Sequence, residues 1–413
     1  MLRLTFAGLA AALLVGNAAM ADEPTLKVNY NWTSPAETAA IKVLQKHIAE
    51  MGVKWQDFAV VQHDTGANIT VVNMISGGNP PDVFLEASPG IYRDIKKMGL
   101  GFPLDDIFKQ VGATQNFADA VKKNITVDGE MVKAPVAVHL DGMLFYNKEV
   151  AQKAGVDPTT WKSMDDVWAA FDKVKAAGFI PIAIGSQKWQ EGYLFHALMA
   201  AYGTDAYDGL YAPQPDTAVF DSPSLKRVLG ILRQFQQHTD PGATNRDWNI
   251  TTNLVITGKA LMQIHGDWMK GEFKAAGKVP GKDFGCINIP GARAVSVTVD
   301  AWGFLKSSDP AVTEAQKKFA AMVVDPKISA EFALQKGSTP VVLNAPTENL
   351  DECNKIVLET LKDPARQKPN PHNTADADWF NATWDVIDRY WNDPNMTSDQ
   401  AIAELKKAHD AIF

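Results

Sequence analysis

Apolar and polar positions alternate first at Leu26, Val28 and Tyr30 against Lys27 and Asn29, the period of a strand with one buried face. Ser34, Pro35, Ala36 and Glu37 then read as a helix start: Ser34 as N-cap, Pro35 at the first helical position and Glu37 closing a capping box. Ala39, Ala40, Val43, Leu44 and Ile48 give that helix an apolar face. A strand is predicted around 58–61, a helix around 68–76 and, beyond the turn at 77–81, a strand at 83–85. This alternation predicts an α/β fold, with helices packed on both faces of a largely parallel sheet.

A second unit opens near Pro135, with strand-like runs at 136–138 and 143–146 and a helix started by Asn147. Amphipathic segments follow at 165–177, 194–202 and 224–238. The run from Ala260 to Ile264 reads as a short buried strand that Gly266 breaks. Strand candidates return at 296–299 and 302–305. Beyond them the chain is predicted helical at 313–324, 327–335, 379–391 and 398–412. No repeat, low-complexity tract or polar linker divides the chain, which suits one that crosses between two lobes more than once.

Composition narrows the class. The chain has 413 residues, with 40 Lys and Arg against 48 Asp and Glu, a net charge of −8. Residues 1–21 read as a cleavable signal peptide: Arg3 supplies the positive start, Phe6 to Val15 the apolar centre, and Ala19, Met20 and Ala21 the cleavage site. The apolar centre is too short to span a bilayer, and no Cys follows it to carry a lipid. The mature protein is therefore expected in the periplasm. Taking 21 residues from 413 leaves 392, enough for two domains. Removing Arg3 makes the balance −9, and that sign disfavours nucleic acid and other polyanions. Cys286 and Cys353 suit an oxidising compartment, either bridged or as two separate thiols. No Cys or His stands at metal-ligand spacing, so neither a metal nor a cofactor is expected.

The most informative segment is 258–273, where the carboxylate of Asp267 and the indole of Trp268 follow the buried run at once. An indole presents a flat apolar face to the C–H side of a sugar ring, and a carboxylate accepts hydrogen bonds from hydroxyls. The wording of this segment resembles the sugar-binding proteins of bacterial ABC importers (extracellular solute-binding protein family 1), in their glucose/mannose-binding branch. Further matching words start at Trp32, Gly78, Phe145, Arg246 and Lys336, in the same order and over nearly the whole mature chain.

That resemblance implies a two-lobed periplasmic-binding-protein fold with three crossings, near 133–138, 288–295 and 338–343. The lobes would be 22–134 with 294–338, and 135–293 with 343–413. It favours a Cys286–Cys353 bridge. It implies no catalytic residue, a monomer, a small-molecule carbohydrate as ligand and an inner-membrane ABC permease as partner. Carried over residue by residue, the ligand set is Trp32, Glu37, Trp268, Asp300, Lys336 and His372. Two indoles could sandwich a pyranose while the ionic groups grip its rim. Further candidates for the cleft are Asn31, His139, Trp189, Gln190, Trp248 and Asp267.

Two departures stand against glucose itself. Asn31 occupies a position where the branch usually has a second Trp, and the segment 86–90 carries no Lys. Another hexose, a sugar alcohol or a short oligosaccharide stays open. A glycoside hydrolase would need two of Glu37, Asp267 and Asp300 roughly 5–9.5 Å apart across the scissile bond. A receptor for an amino acid is a third reading, although no Arg stands out to hold a carboxylate.

Overall fold

The computed structural model describes residues 23–59, 67–86 and 88–413. The segment read as a signal peptide, 1–21, lies outside them. Among the described residues twelve strands follow in chain order: β1 (Thr25–Tyr30), β2 (Lys54–Ala59), β3 (Val83–Leu85), β4 (Thr126–Val127), β5 (Glu130–Met131), β6 (Ala134–Asp141), β7 (Met143–Asn147), β8 (Ile180–Ile182), β9 (Ala260–His265), β10 (Phe284–Asn288), β11 (Val295–Phe304) and β12 (Gln367–Pro369).

The first sheet runs β12-β11-β3-β1-β2, with β6 also paired to β11; the second runs β10-β7-β9-β8. β1 lies parallel to β2 and β3, as the strand–helix alternation requires. In the second sheet only β8 and β9 are parallel, while β7 is antiparallel to both neighbours. No crossover helix sets the direction of β7, because it follows β6 of the first sheet after the single residue Gly142. β10 in turn leads back to the first sheet through β11.

The first helix, Pro35–Glu50, forms for the reasons its sequence announces. Ser34 caps it, the capping box with Glu37 is complete, and Ala40, Leu44 and Ile48 are buried against the sheet. The strand expected at 58–61 lies earlier, at Lys54–Ala59. It is the edge of the sheet, and edge exposure tolerates the polar Lys54, Gln56 and Asp57 that obscure it in sequence. The two strands expected at 296–299 and 302–305 are one, β11, whose register on β6 shifts between Asp300 and Ala301. Asp300 interrupts the apolar pattern where the strand is irregular.

Two large apolar clusters form the cores. One gathers Leu26, Val28, Trp302 and Phe319 about the first sheet. The other gathers Leu144, Phe171, Leu198, Leu229 and Trp379 about the second. Cys286 on β10 is bridged to Cys353 in the helix Glu352–Leu361. The same helix is held by Lys270, whose Nζ donates to Asp351 (3.1 Å) and Asn354 (2.6 Å). Replacing both cysteines by serine should lower unfolding stability by about 2–4 kcal/mol, read by urea denaturation. An unchanged midpoint would mean that packing alone holds this helix.

Candidate functional site

Several elements deliver charged or aromatic groups to one place. Trp32 lies in the turn after β1, and Glu37 in the first turn of the helix that follows. Oε2 of Glu37 accepts from the backbone amides of Thr33 and Ser34, both at 3.0 Å. Oε1 faces the ammonium of Lys336 at 3.9 Å. The capping box therefore takes one carboxylate oxygen and leaves the other for the site.

Lys336 ends the helix Pro326–Lys336, and Gly337 closes it in the left-handed conformation (φ +83°). A Cβ on Gly337 would meet the backbone nitrogen of Gly271 at 2.4 Å, so the turn after Lys336 sits directly on the helix Met269–Ala275. The Lys336 ammonium is 3 % exposed and lies 4.8 Å from the Trp32 ring centre and 5.9 Å from that of Trp268. Oδ2 of Asp300 is 4.0 Å from the same ammonium.

His139 on β6 is fully buried between two carboxylates. Its Nδ1 bonds Asp267, and its Nε2 bonds Asp300 Oδ2 at 3.1 Å. Burial alone would lower the imidazole pKa, but Asp267 and Asp300 outweigh it and raise the value above the usual 6.5. For Asp300 burial would raise the carboxyl, yet the His139 bond and the Lys336 charge bring it below its ordinary value. The result is a line of alternating charge: Asp267, His139, Asp300, Lys336, Glu37.

The sign of the linkage follows. His139 contributes stability that is full below its unfolded pKa of about 6.5 and is lost as pH rises through its raised folded value. Asp300 contributes above about 3.8 and loses its share as pH falls through its lowered folded value. The Tm difference between wild type and His139→Asn should therefore shrink as pH rises above 6.5. A difference that is flat with pH would mean a neutral imidazole.

Trp268 stands at the end of this line, 9 % exposed. Its ring meets His139 (5.2 Å), Tyr193 (5.6 Å) and His265 (5.0 Å) edge to face. Trp189 and Trp248 approach through His265, at 5.5 and 5.9 Å. Trp32 is 6 % exposed and packs on Trp302 and Phe332, so part of its ring belongs to the core of the first unit. Asn31 is half-buried in the same turn.

His372 is farther out. Its ring packs on Phe380 (4.0 Å) and Trp384 (5.4 Å), and Trp384 reaches Tyr193 at 6.0 Å. Burial, assisted by His196, pushes its pKa down to about 4, so it is neutral near pH 7. Gln190 stays outside the cluster, where its Nε2 donates to Gln187 Oε1 and to the Arg246 carbonyl.

The sequence reading missed three members of the aromatic wall: Tyr193, His265 and Trp384. Tyr193 lies four residues after Trp189 on the helix Lys188–Tyr202, and that spacing was its only local signal. It also missed Glu272, four residues after Trp268. Glu272 is buried and accepts from Ser34 Oγ (2.7 Å) and from the Ala36 amide (3.1 Å), joining the helix after β9 to the N-terminus of the first helix. Among the described residues no three His, Cys, Asp or Glu side chains converge to hold a metal ion.

Comparison with known proteins agrees with this architecture. A family model for bacterial extracellular solute-binding protein matches residues 32–330. A "Probable sugar-binding periplasmic protein" of Brucella suis is 32 % identical over 424 residues, covering 100 % of this chain and 99 % of the relative. One of the same name from Rhizobium meliloti is 32 % identical over 419 residues, covering 99 % of each. Among solved structures, a chitin oligosaccharide binding protein superposes with a TM-score of 0.80 at 19 % identity, over 95 % of this chain and 99 % of that one. The bacterial solute receptor AcbH, described as preferring β-D-galactopyranose, gives 0.78 at 20 % identity, over 94 % and 98 %. The fold is that of a two-lobed periplasmic binding protein, and its role is binding rather than enzymatic turnover. The chain belongs to the bacterial extracellular solute-binding protein family.

Proposed function

We propose that this protein is the periplasmic receptor of an ABC sugar importer, exported by the segment 1–21, and that it holds a glucose-like monosaccharide between its two lobes for delivery to a membrane permease. The observation that carries the reading is the convergence of Trp32, Glu37, Lys336, Asp300 and His139 from the first-sheet side with Asp267 and Trp268 from the second. Indoles supply faces for the apolar side of a pyranose. The ionic line supplies hydrogen-bonding groups for its hydroxyls, stronger than neutral ones would be. The names of the relatives support a sugar, and the enclosure of both indoles favours a small one over a long chain.

The lobes are proposed as 22–134 with 294–338 and 135–293 with 343–413. Passage from β6 to β7 at Gly142, beyond the proposed boundary at 135, and from β10 to β11 supports a chain that changes sides twice, with β6 staying in the first sheet. Closure of the lobes would exclude water and strengthen the ionic contacts.

A thermal-shift screen of the purified mature protein tests the reading with glucose, galactose, mannose, xylose, sorbitol, maltotriose and chitobiose. A ligand at about 100 times its Kd stabilises by about 2.7 kcal/mol, a rise of several degrees in Tm. A hexose should give the largest rise. A response to the oligosaccharides alone would replace the monosaccharide, and silence across the whole panel would remove the sugar reading.

A further inference from the structure

Away from the cluster around Trp268, the second unit carries a cavity of about 240 Å³ whose lining includes Lys162, Ser163, Tyr202, Arg227, Gly291 and Arg293. Three of its lining residues are cations and none is a carboxylate. That concentration runs against a chain of net charge −8.

The walls are fixed. Tyr202 OH donates to the Pro290 carbonyl at 2.5 Å, tying the segment between β10 and β11 to the end of the helix Lys188–Tyr202. Gly291 adopts φ +76°, and a Cβ there would lie 2.9 Å from the Lys162 carbonyl, so backbone meets backbone at this edge. The Arg227 guanidinium lies over the Tyr202 ring, 5.3 Å from its centre.

The cations are also available. Among the described residues no ion pair engages Lys162 or Arg227. Arg293 is held through Nη2 alone, donating to the Tyr202 carbonyl (2.9 Å) and to Asp205 (3.0 Å), which leaves the rest of its five N–H groups. Asp205, on the rim, also accepts from Ser224, and Asp166 nearby is occupied by the Lys162 and Ser163 amides. The cluster keeps an excess of positive charge. A tetrahedral anion of five heavy atoms needs about 150 Å³ at roughly 30 Å³ for each water-sized group. Planar guanidinium forks match its oxygens in pairs.

We propose that this cavity is a binding site for a phosphate group, separate from the carbohydrate cleft, with Arg227, Arg293 and Lys162 as its ligands. The phosphate could be the free anion or the headgroup of an anionic lipid, and the test separates the two. The full mature chain would be titrated with inorganic phosphate by calorimetry at constant ionic strength, with chloride as the control. In parallel it would be sedimented with phosphatidylglycerol and with phosphatidylcholine vesicles. The double variant Lys162→Gln/Arg227→Gln changes two exposed side chains, and its unchanged melting temperature would certify folding.

Saturable phosphate binding, weakened roughly tenfold or more in the variant, is the expected result. Selective sedimentation with phosphatidylglycerol, lost in the variant and without a response to free phosphate, would support the site and make the headgroup its source. A phosphate response no larger than that to chloride, together with no vesicle preference, would overturn the proposal. So would any binding that the double variant retains in full.

Discussion

Trp268→Ala is expected to weaken hexose binding by about 2 kcal/mol or more, roughly thirtyfold in Kd. The ring is 9 % exposed and lies among His139, Tyr193, His265 and the Lys336 ammonium. Gly266 packs beneath it so closely that a Cβ there would fall 2.0 Å from the indole. Truncation therefore also removes packing and should cost about 3–5 kcal/mol of stability, the range for a large buried aromatic. Trp268→Phe separates the two effects. Phenylalanine keeps a flat apolar face and much of the packing, so it should recover most of the stability and part of the affinity. Calorimetry and urea denaturation of both variants read the two quantities independently. Intact affinity in the alanine variant would assign Trp268 to packing alone.

Asp300→Asn has the second-largest expected effect. Among the described residues Asp300 is the only carboxylate that meets both His139 and Lys336. Breaking a fully buried ion pair costs 3–5 kcal/mol, but the Asp300 side chain is 23 % exposed and solvent screens part of that. A stability loss of about 1–3 kcal/mol is expected, with a further loss of about 1–2 kcal/mol in hexose affinity where charge-assisted bonds to hydroxyls weaken. Most of the affinity loss should persist at high salt, because His139 and Lys336, the two partners of Asp300, are buried and weakly screened. Wild-type affinity and stability together would make the carboxylate dispensable.

What could be read from the sequence was local. The capping box at Ser34 and Glu37 is written in four consecutive residues, and the strand before Trp268 in a short run that is apolar apart from Gln263. Asp300 entered through the family resemblance; it is a carboxylate between the apolar Val299 and Ala301, and it marks a register shift within one long strand. What escaped was nonlocal. Tyr193 and Trp384 meet only because the helices Lys188–Tyr202 and Ala377–Asn392 pack together, and neither carries a mark of that in its own pattern. Pro369 to Asn373 has the composition of an exposed loop, yet His372 is packed on Phe380 and Trp384. The pairing of His139 with Asp267 and Asp300 joins residues 128 and 161 positions apart, a separation at which spacing has no meaning.

Titration calorimetry of the mature protein with glucose, galactose, mannose and xylose, repeated on Trp268→Ala, bears most directly on the claim that a sugar closes between the two indoles. The account predicts saturable binding of at least one of these sugars, with the heat lost or the Kd raised roughly thirtyfold in the variant. Undiminished binding by the variant, or no heat from any sugar with the intact protein, would contradict it.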